Sequence, residues 1–276
     1  ARWYDNPELK TERVARVFPE VPRVWERYGW TLYSKGEYDT AIELAQREFV
    51  HDTPAVQSGA YQLIGMSRFK QGQTQDALAA LHKAMDVDPN NDLGRFRLAM
   101  VYEELGRFAA AMPLYEALVA SASSHNPTLH RLARVYRELG RPGDARRMYE
   151  QELKNNPYEF PASLALADLD FQESTPDSLR AAERRLIELL DWMSENITAR
   201  INLAHLYDTV GDTPRAKQHY HRAQQYGFES LEQAVFAHDF FEKHESFNSL
   251  PEVWTAYLKL HSDDTTGRAF LAWSFL

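Results

Sequence analysis

Apolar residues in this chain recur at i, i+3, i+4 and i+7 over helix-length windows, and polar or Gly/Pro-containing breaks separate the windows. The windows come in pairs. Gly36, Gly72, Gly106, Gly140 and Gly211 stand where the first helix of a pair must stop, at a left-handed cap that needs no Cβ. Small residues mark where paired helices approach: Gly29, Gly65, Ala99, Ala133, Ala167 and Ala204 on the first helices, and Ala41, Ala77, Ala111, Ala145, Ala182 and Ala216 on the second. A single helix pair cannot bury both apolar faces, so neighbours must stack. The pattern predicts an all-α chain.

The pairs repeat with a period of 34 to 36 residues over most of the chain. Trp25, Gly29, Gly36, Ala41 and Ala45 are followed by Tyr61, Gly65, Gly72, Ala77 and Leu81, then by Arg95, Ala99, Gly106, Ala111 and Tyr115. Leu129, Ala133, Gly140, Ala145 and Tyr149 continue the series, and Arg200, Ala204, Gly211, Ala216 and Tyr220 resume it. Pro54, Pro89 and Pro157 close units. This pattern resembles the tetratricopeptide repeat. The segments "LIGMSRFKQGQTQDALAALHKAMDVDP", "RLAMVYEELGRFAAAMPLYEAL" and "RLARVYRELGRPGDARRMYEQELKNNP" carry the resemblance best. It implies a right-handed superhelical solenoid of antiparallel helix pairs.

Six units are expected, at 22–55, 58–91, 92–125, 126–159, 160–196 and 197–230, after a partial unit at 1–21. The fifth is irregular. Its first helix should end near Glu173, "STPDS" at 174–178 replaces the glycine turn, and Thr175 and Pro176 should open a long second helix. Beyond 230 the signature fades into a degenerate pair, with Ser249 and Glu252 spaced as a capping box, and an apolar terminal helix around Phe270 and Trp273. That helix lacks the polar outer face of a solenoid cap, which makes self-association through it a candidate.

The chain has 276 residues, 31 Lys and Arg against 40 Asp and Glu, and no cysteine. The net charge of −9 argues against a phosphate-binding surface, so nucleic acid is not an expected partner. Without cysteine there are no disulfides, thiolate nucleophiles or Cys-ligated metals. No apolar run reaches the roughly 20 residues of a transmembrane helix. Catalytic fingerprints and phosphate loops are missing, so neither an enzyme nor a cofactor is expected. His238, Glu242 and His244 form a loose cluster whose plainer reading is ordinary helix surface rather than metal ligation, and Glu103 and Glu104 are expected to face solvent. The Ala- and Arg-rich repeats look bacterial, and their envelope or periplasm is favoured over the cytoplasm on family association alone.

The resemblance implies that first helices line a concave peptide-binding groove. Trp30, Tyr33, Met66, Phe69, Phe96 and Met100 would form an apolar lane there, with core packing between first helices as the competing reading. Arg131, Arg134 and Arg137 form a stripe with Arg97 beside it, suited to carboxylates; the competing reading is a ladder with Glu103, Glu104 and Glu138. His205 lines the same face further on. The family's carboxylate clamp for chaperone tails does not fit, since only Arg97 of its residues has a match. A non-catalytic scaffold or adaptor for a protein or peptide ligand, acidic and partly hydrophobic, leads. The alternatives are a repeat module of a larger enzyme or export machine and a self-assembling structural protein.

Overall fold

The structure, a computed structural model, describes residues 7–121 and 126–275. The expected boundary at residue 125 and the start of the partial first unit therefore lie outside the described residues. Sixteen α-helices and no strand are found among the described residues. The chain divides into two compact units, 1–148 and 149–276.

Unit 1 contains α1 (Pro7–Val17), α2 (Val24–Tyr33), α3 (Tyr38–Arg47), α4 (Pro54–Lys70), α5 (Thr74–Val87), α6 (Asp92–Glu104), α7 (Phe108–Ala120), α8 (Asn126–Glu138) and the first half of α9 (Pro142–Asn155). Helices pack as the pairs α2–α3, α4–α5 and α6–α7, and the first helices also touch one another, α2 on α4 and α4 on α6. The small residues explain this closeness. A Cβ on Gly29 would lie 2.5 Å from Leu63 Cδ2 and 3.2 Å from the Ala41 carbonyl; one on Gly65 would lie 2.6 Å from Leu81 Cγ and 3.0 Å from the Ala77 carbonyl. Leu32, Ala41, Leu44, Ala60 and Leu63 form one core, and Met66, Leu78, Leu81, Leu98 and Val101 the next.

Unit 2 contains α10 (Phe160–Glu173), α11 (Pro176–Trp192), α12 (Ile197–Thr209), α13 (Thr213–Tyr226), α14 (Leu231–Lys243), α15 (Leu250–Leu258) and α16 (Thr265–Trp273). Here the pairs are α10–α11, α12–α13 and α14–α15, and α12 touches both α10 and α14. One continuous core runs from Ala167 to Tyr257, with Trp254, Tyr220, Phe228 and Phe241 among its fully buried side chains.

The left-handed caps define the repeat more sharply than the side chains do. Gly36, Gly72, Gly106, Gly140 and Gly211 have φ of 84°, 77°, 69°, 69° and 82°. Ser174 (φ 55°) and Glu245 (φ 52°) continue the series, each 34 residues after a glycine cap. The fifth unit thus keeps its turn without glycine, and α14–α15 is capped as another unit. Thr175 opens α11 as expected, accepting from the Ser178 amide at 3.1 Å while the Ser178 hydroxyl receives the Thr175 amide. The box expected at Ser249 does not form. Ser249 ends the short turn Phe247–Ser249 in helical geometry (φ −88°, ψ −13°), so its side chain caps nothing.

The start of α2 is capped from a distance. Glu48, fully buried, accepts from the backbone N–H of Arg23 at 2.9 Å, Trp25 at 2.8 Å and Glu26 at 3.0 Å. A carboxylate at a helix N-terminus satisfies orphan donors and complements the macrodipole. No described helix is long and apolar enough to cross a membrane.

Candidate first-helix binding faces

On unit 1, the lane residues sit on α2, α4 and α6 at two different depths. Met66 is 5% exposed and belongs to the core, so it supports the lane from beneath and is not part of its surface. Trp30, Tyr33, Phe69 and Met100 are half-buried against that same core, and the Trp30 and Tyr33 rings meet edge to face at 5.2 Å. Phe96 packs edge-on against Tyr115, with centroids 5.9 Å apart.

The arginines are already engaged. Arg97 turns away from the other arginines and lays its guanidinium over the Trp30 ring, 3.9 Å from the centroid, while donating to Gln62 Oε1. Its direct hydrogen-bond partner is neutral, and burial pushes its pKa down to about 10. Arg131 lies over Phe96 at 5.8 Å and donates to Glu103 Oε2 at 2.8 Å; the Tyr115 hydroxyl donates to that same oxygen at 2.8 Å. Glu103 is therefore buried, at 7% exposure, against the expectation that it faces solvent: two donors and the nearby Arg134, 3.6 Å away, offset its desolvation. For Arg131 the ladder reading is the one the structure adopts. Burial opposes the Arg131 charge, but the bond and charge of Glu103 together with Tyr115 outweigh it and its pKa rises. Arg134 is exposed, Arg137 half-buried on the next turn. Arg131, Arg134, Glu103, Glu104, Glu138 and Phe108 bound a cavity of about 360 Å³.

His205 belongs to unit 2. It lies between Phe171 of α10 and Phe236 of α14, with centroids 5.0 and 5.3 Å away and the Phe236 ring stacked at 22°. Counting back from their left-handed caps, these rings stand three, six and nine residues in, so the stack descends one turn per helix. Burial, stronger than the pull of Asp208, lowers the His205 pKa below its ordinary value. Asp208 is held by Lys243 at 2.9 Å and by His244 at 2.8 Å. Phe236 was not legible as a site residue, because the repeat signature fades before α14; the cap spacing is the signal that finds it.

His238, Asp239 and Glu242 bring one ligand atom each within 4.8 Å of one another. The Trp254 indole N–H, which can only donate, points at His238 Nδ1 at 3.1 Å. That bond takes the Nδ1 lone pair and leaves the neutral ring's proton on Nε2, so neither nitrogen offers a free lone pair to a metal.

The units also differ in charge. Residues 1–148 carry 20 Lys and Arg against 19 Asp and Glu; residues 149–276 carry 11 against 21. The acidity of the chain is thus a property of unit 2.

Models of the tetratricopeptide repeat match residues 11–54, 68–135 and 126–169. The chain belongs to the tetratricopeptide repeat family. A tetratricopeptide repeat protein from Parabacteroides merdae is 17% identical with a TM-score of 0.65, over 96% of this chain and 99% of that one. The C-terminal part of a repeat protein from Cytophaga hutchinsonii is 16% identical with a TM-score of 0.64, over 83% and 92%. Pseudomonas aeruginosa pilF is 18% identical with a TM-score of 0.57, over 78% and 96%. At these identities the likeness is one of fold. No curated protein matches the chain. This fold is typically a non-catalytic protein-interaction module, and that is the function class the family supports.

Proposed function

We propose that this protein is a non-catalytic scaffold whose unit 1 holds an acidic, partly hydrophobic segment of a partner protein along its first helices. The observation that carries this is Arg97, a guanidinium half-buried over Trp30 whose direct hydrogen-bond partner is the neutral Gln62. Its lowered pKa, about 10, still leaves it charged at neutral pH; burial outweighs the pull of the Glu26 carboxylate, so a desolvation cost remains. An arriving carboxylate would relieve that cost through a charge-assisted bond. Arg134, exposed beside Glu103, is a second donor to acidic groups, and Arg131 keeps Glu103 neutralised so that it does not repel them. The half-buried Trp30, Tyr33, Phe69, Phe96 and Met100 supply apolar contact for the residues between.

The test uses the full chain and a fluorescein-labelled peptide alternating Leu and Glu, followed by anisotropy. Arg97→Met keeps an apolar cover on Trp30 and removes the charge; it should weaken binding at least about tenfold, the scale of a buried charge-assisted contact. Arg134→Glu should weaken it less and mainly through the association rate. Unchanged affinity in both variants, with helicity intact, rules this face out.

A further inference from the structure

We propose that the edge of unit 2 formed by the turns between its repeats is a docking strip for a basic amphipathic helix of a partner protein. It goes beyond the first-helix reading: it lies where each second helix gives way to the next first helix, and its ligand carries the opposite charge. Asn196, Ser230 and Asp264 cap α12, α14 and α16 through their side chains. Four residues before each cap stand Trp192, Tyr226 and Leu260, and one residue before each stand Glu195, Glu229 and Asp263. An apolar row and an acidic row therefore run side by side across three turns. Before α10, Tyr158 takes the place of the acid, and its ring meets that of Trp192 edge to face at 5.0 Å.

The apolar row is exposed where its counterpart in unit 1 is not. Trp192 is 67% exposed, Leu260 54% and Tyr226 40%. The equivalent residues before α4 and α6, Phe49 and Val87, are half-buried, and the Tyr61 ring covers Phe49 at 4.7 Å. The three turns of unit 2 are also tied to one another. Buried Arg200 lies with its guanidinium 5.9 Å from the Tyr226 centroid and donates to the Ser194 carbonyl, in the turn that follows Trp192. Leu260 rests against the turn of Tyr226, since a Cβ on Gly227 would lie 3.3 Å from its Cγ and Cδ1. His261 Nε2 donates to the Glu229 carbonyl at 3.1 Å. The strip is thus held in place before any partner arrives.

Charge and spacing select the occupant. Glu195 and Glu229 have no ion-pair partner among the described residues, and Asp263, its side chain fully exposed, meets Arg268 at 3.3 Å. Lys259 is the single Lys or Arg within 191–196, 225–230 and 259–264. These carboxylates repel nucleic acid and anionic lipid. A purely apolar partner face would strip their water without pairing them. Helices of neighbouring repeats pack about 10 Å apart, and seven residues of an α-helix rise about 10 Å. Apolar residues one heptad apart on a partner helix therefore reach successive turns from one face, and a Lys three or four residues further on shares that face with them. An extended chain covers the same distance in about three residues, which turns successive anchors to opposite sides.

The probe is a fluorescein-labelled helical peptide with Leu at every seventh position, Lys three and four residues after each Leu, and Ala elsewhere. Its anisotropy is followed on the full chain. It should bind, and a scrambled peptide of the same composition should bind at least about tenfold more weakly. The double variant Trp192→Ser, Leu260→Ser truncates exposed side chains and should weaken binding at least about tenfold, the scale of lost anchors. Glu195→Gln with Glu229→Gln should weaken it about threefold and flatten its salt dependence. Arg97→Met and Phe236→Ala, on the first-helix faces, should leave it unchanged, so the two readings fail separately. The indole N–H signal of Trp192, assigned by its loss in Trp192→Phe, should move on adding the peptide. The proposal is overturned if the peptide does not bind, if the scrambled peptide binds as well, or if both double variants leave the affinity unchanged. It is equally overturned if Arg97→Met or Phe236→Ala weakens binding as much as the Trp192 and Leu260 pair does. Sedimentation in which the chain alone self-associates and Trp192→Ser, Leu260→Ser is monomeric would assign the strip to a second copy, and would overturn it too.

Discussion

The two units build the same helix pairs and then dress their first helices in opposite ways. In unit 1 the rings are covered by cations: Arg97 lies over Trp30 and Arg131 over Phe96, and the buried acids Glu26, Glu48 and Glu103 have partners within the unit. In unit 2 the rings of Phe171, His205 and Phe236 pack against one another, with Asp168, which accepts from the Gln172 amide, and Glu232 beside them. The helix-pair scaffold demands only small residues at the crossings and a left-handed cap. Everything on the first-helix face is left free, so its rings and charges can change between units while the backbone does not change. The charge split, near zero in unit 1 and strongly negative in unit 2, follows the same line.

The comparison is most easily broken at Glu48. Its carboxylate holds three backbone donors at the start of α2, the helix that carries Trp30 and Tyr33. Glu48→Ala removes both acceptor oxygens, and with them all three bonds, from a fully buried position and should cost unit 1 about 3 kcal/mol, against the scale of one to two charge-assisted hydrogen bonds. Glu48→Gln keeps one carbonyl oxygen for Trp25 and Glu26 and should cost less. Hydrogen exchange measured residue by residue should show the loss in α2 and α3, with α12 to α15 unchanged; a uniform loss over both units would mean that they unfold as one.

Much of the scaffold was legible because its determinants are local. A glycine at a left-handed cap and Ala or Gly at a helix crossing act at their own positions, so the period and the helix pairs follow from the sequence. Thr175 and Pro176 were legible for the same reason. Glu48 was not, because it caps a helix more than 20 residues away. Neither were Ser174 and Glu245, since neither residue type signals a positive φ. The faces were legible as lists of positions only. Periodicity places Met66 and Phe69 on neighbouring turns of α4, but how closely α2 and α6 approach decides that Met66 is core and Phe69 is half-exposed. Likewise the spacing of Arg97 from Arg131 gives no sign that Arg97 will reach back to Trp30.

A smaller effect separates the units by pH. His219 on α13 has Nδ1 buried without a hydrogen-bond partner. Burial first, then the charges of Arg200, Arg222 and Arg215, push its pKa down to about 4. In the unfolded chain it titrates near 6.5. Above that pH both states are neutral. As pH falls from about 6.5 toward 4 the unfolded chain takes up a proton that the folded ring refuses, so stability is lost across that window. Urea unfolding of the wild type and His219→Gln at pH 7 and pH 4.5 should show the variant losing less on acidification. Parallel losses would place the acid sensitivity elsewhere. Solvent screening at this half-buried ring keeps the effect below that at Glu48.

The smallest expected effect tests the cap series itself. Ser174 and Glu245 adopt left-handed backbone at φ 55° and 52°, where the other five caps are glycine. A non-glycine residue there carries a cost of order 1 kcal/mol, offset in part by the greater entropy glycine has when unfolded. Ser174 also recovers something locally, since its hydroxyl donates to the Phe171 carbonyl at 2.8 Å. Glu245→Gly should therefore stabilise unit 2 by up to about 1 kcal/mol, and Ser174→Gly by less. The reverse change, Gly106→Ala in unit 1, meets no steric neighbour and isolates the backbone term, with an expected loss of about 1 kcal/mol. If Glu245→Gly destabilises unit 2 as much as Gly106→Ala destabilises unit 1, the turn after α14 does not belong to the same series, and α14–α15 is an appendage to the array and not one of its repeats.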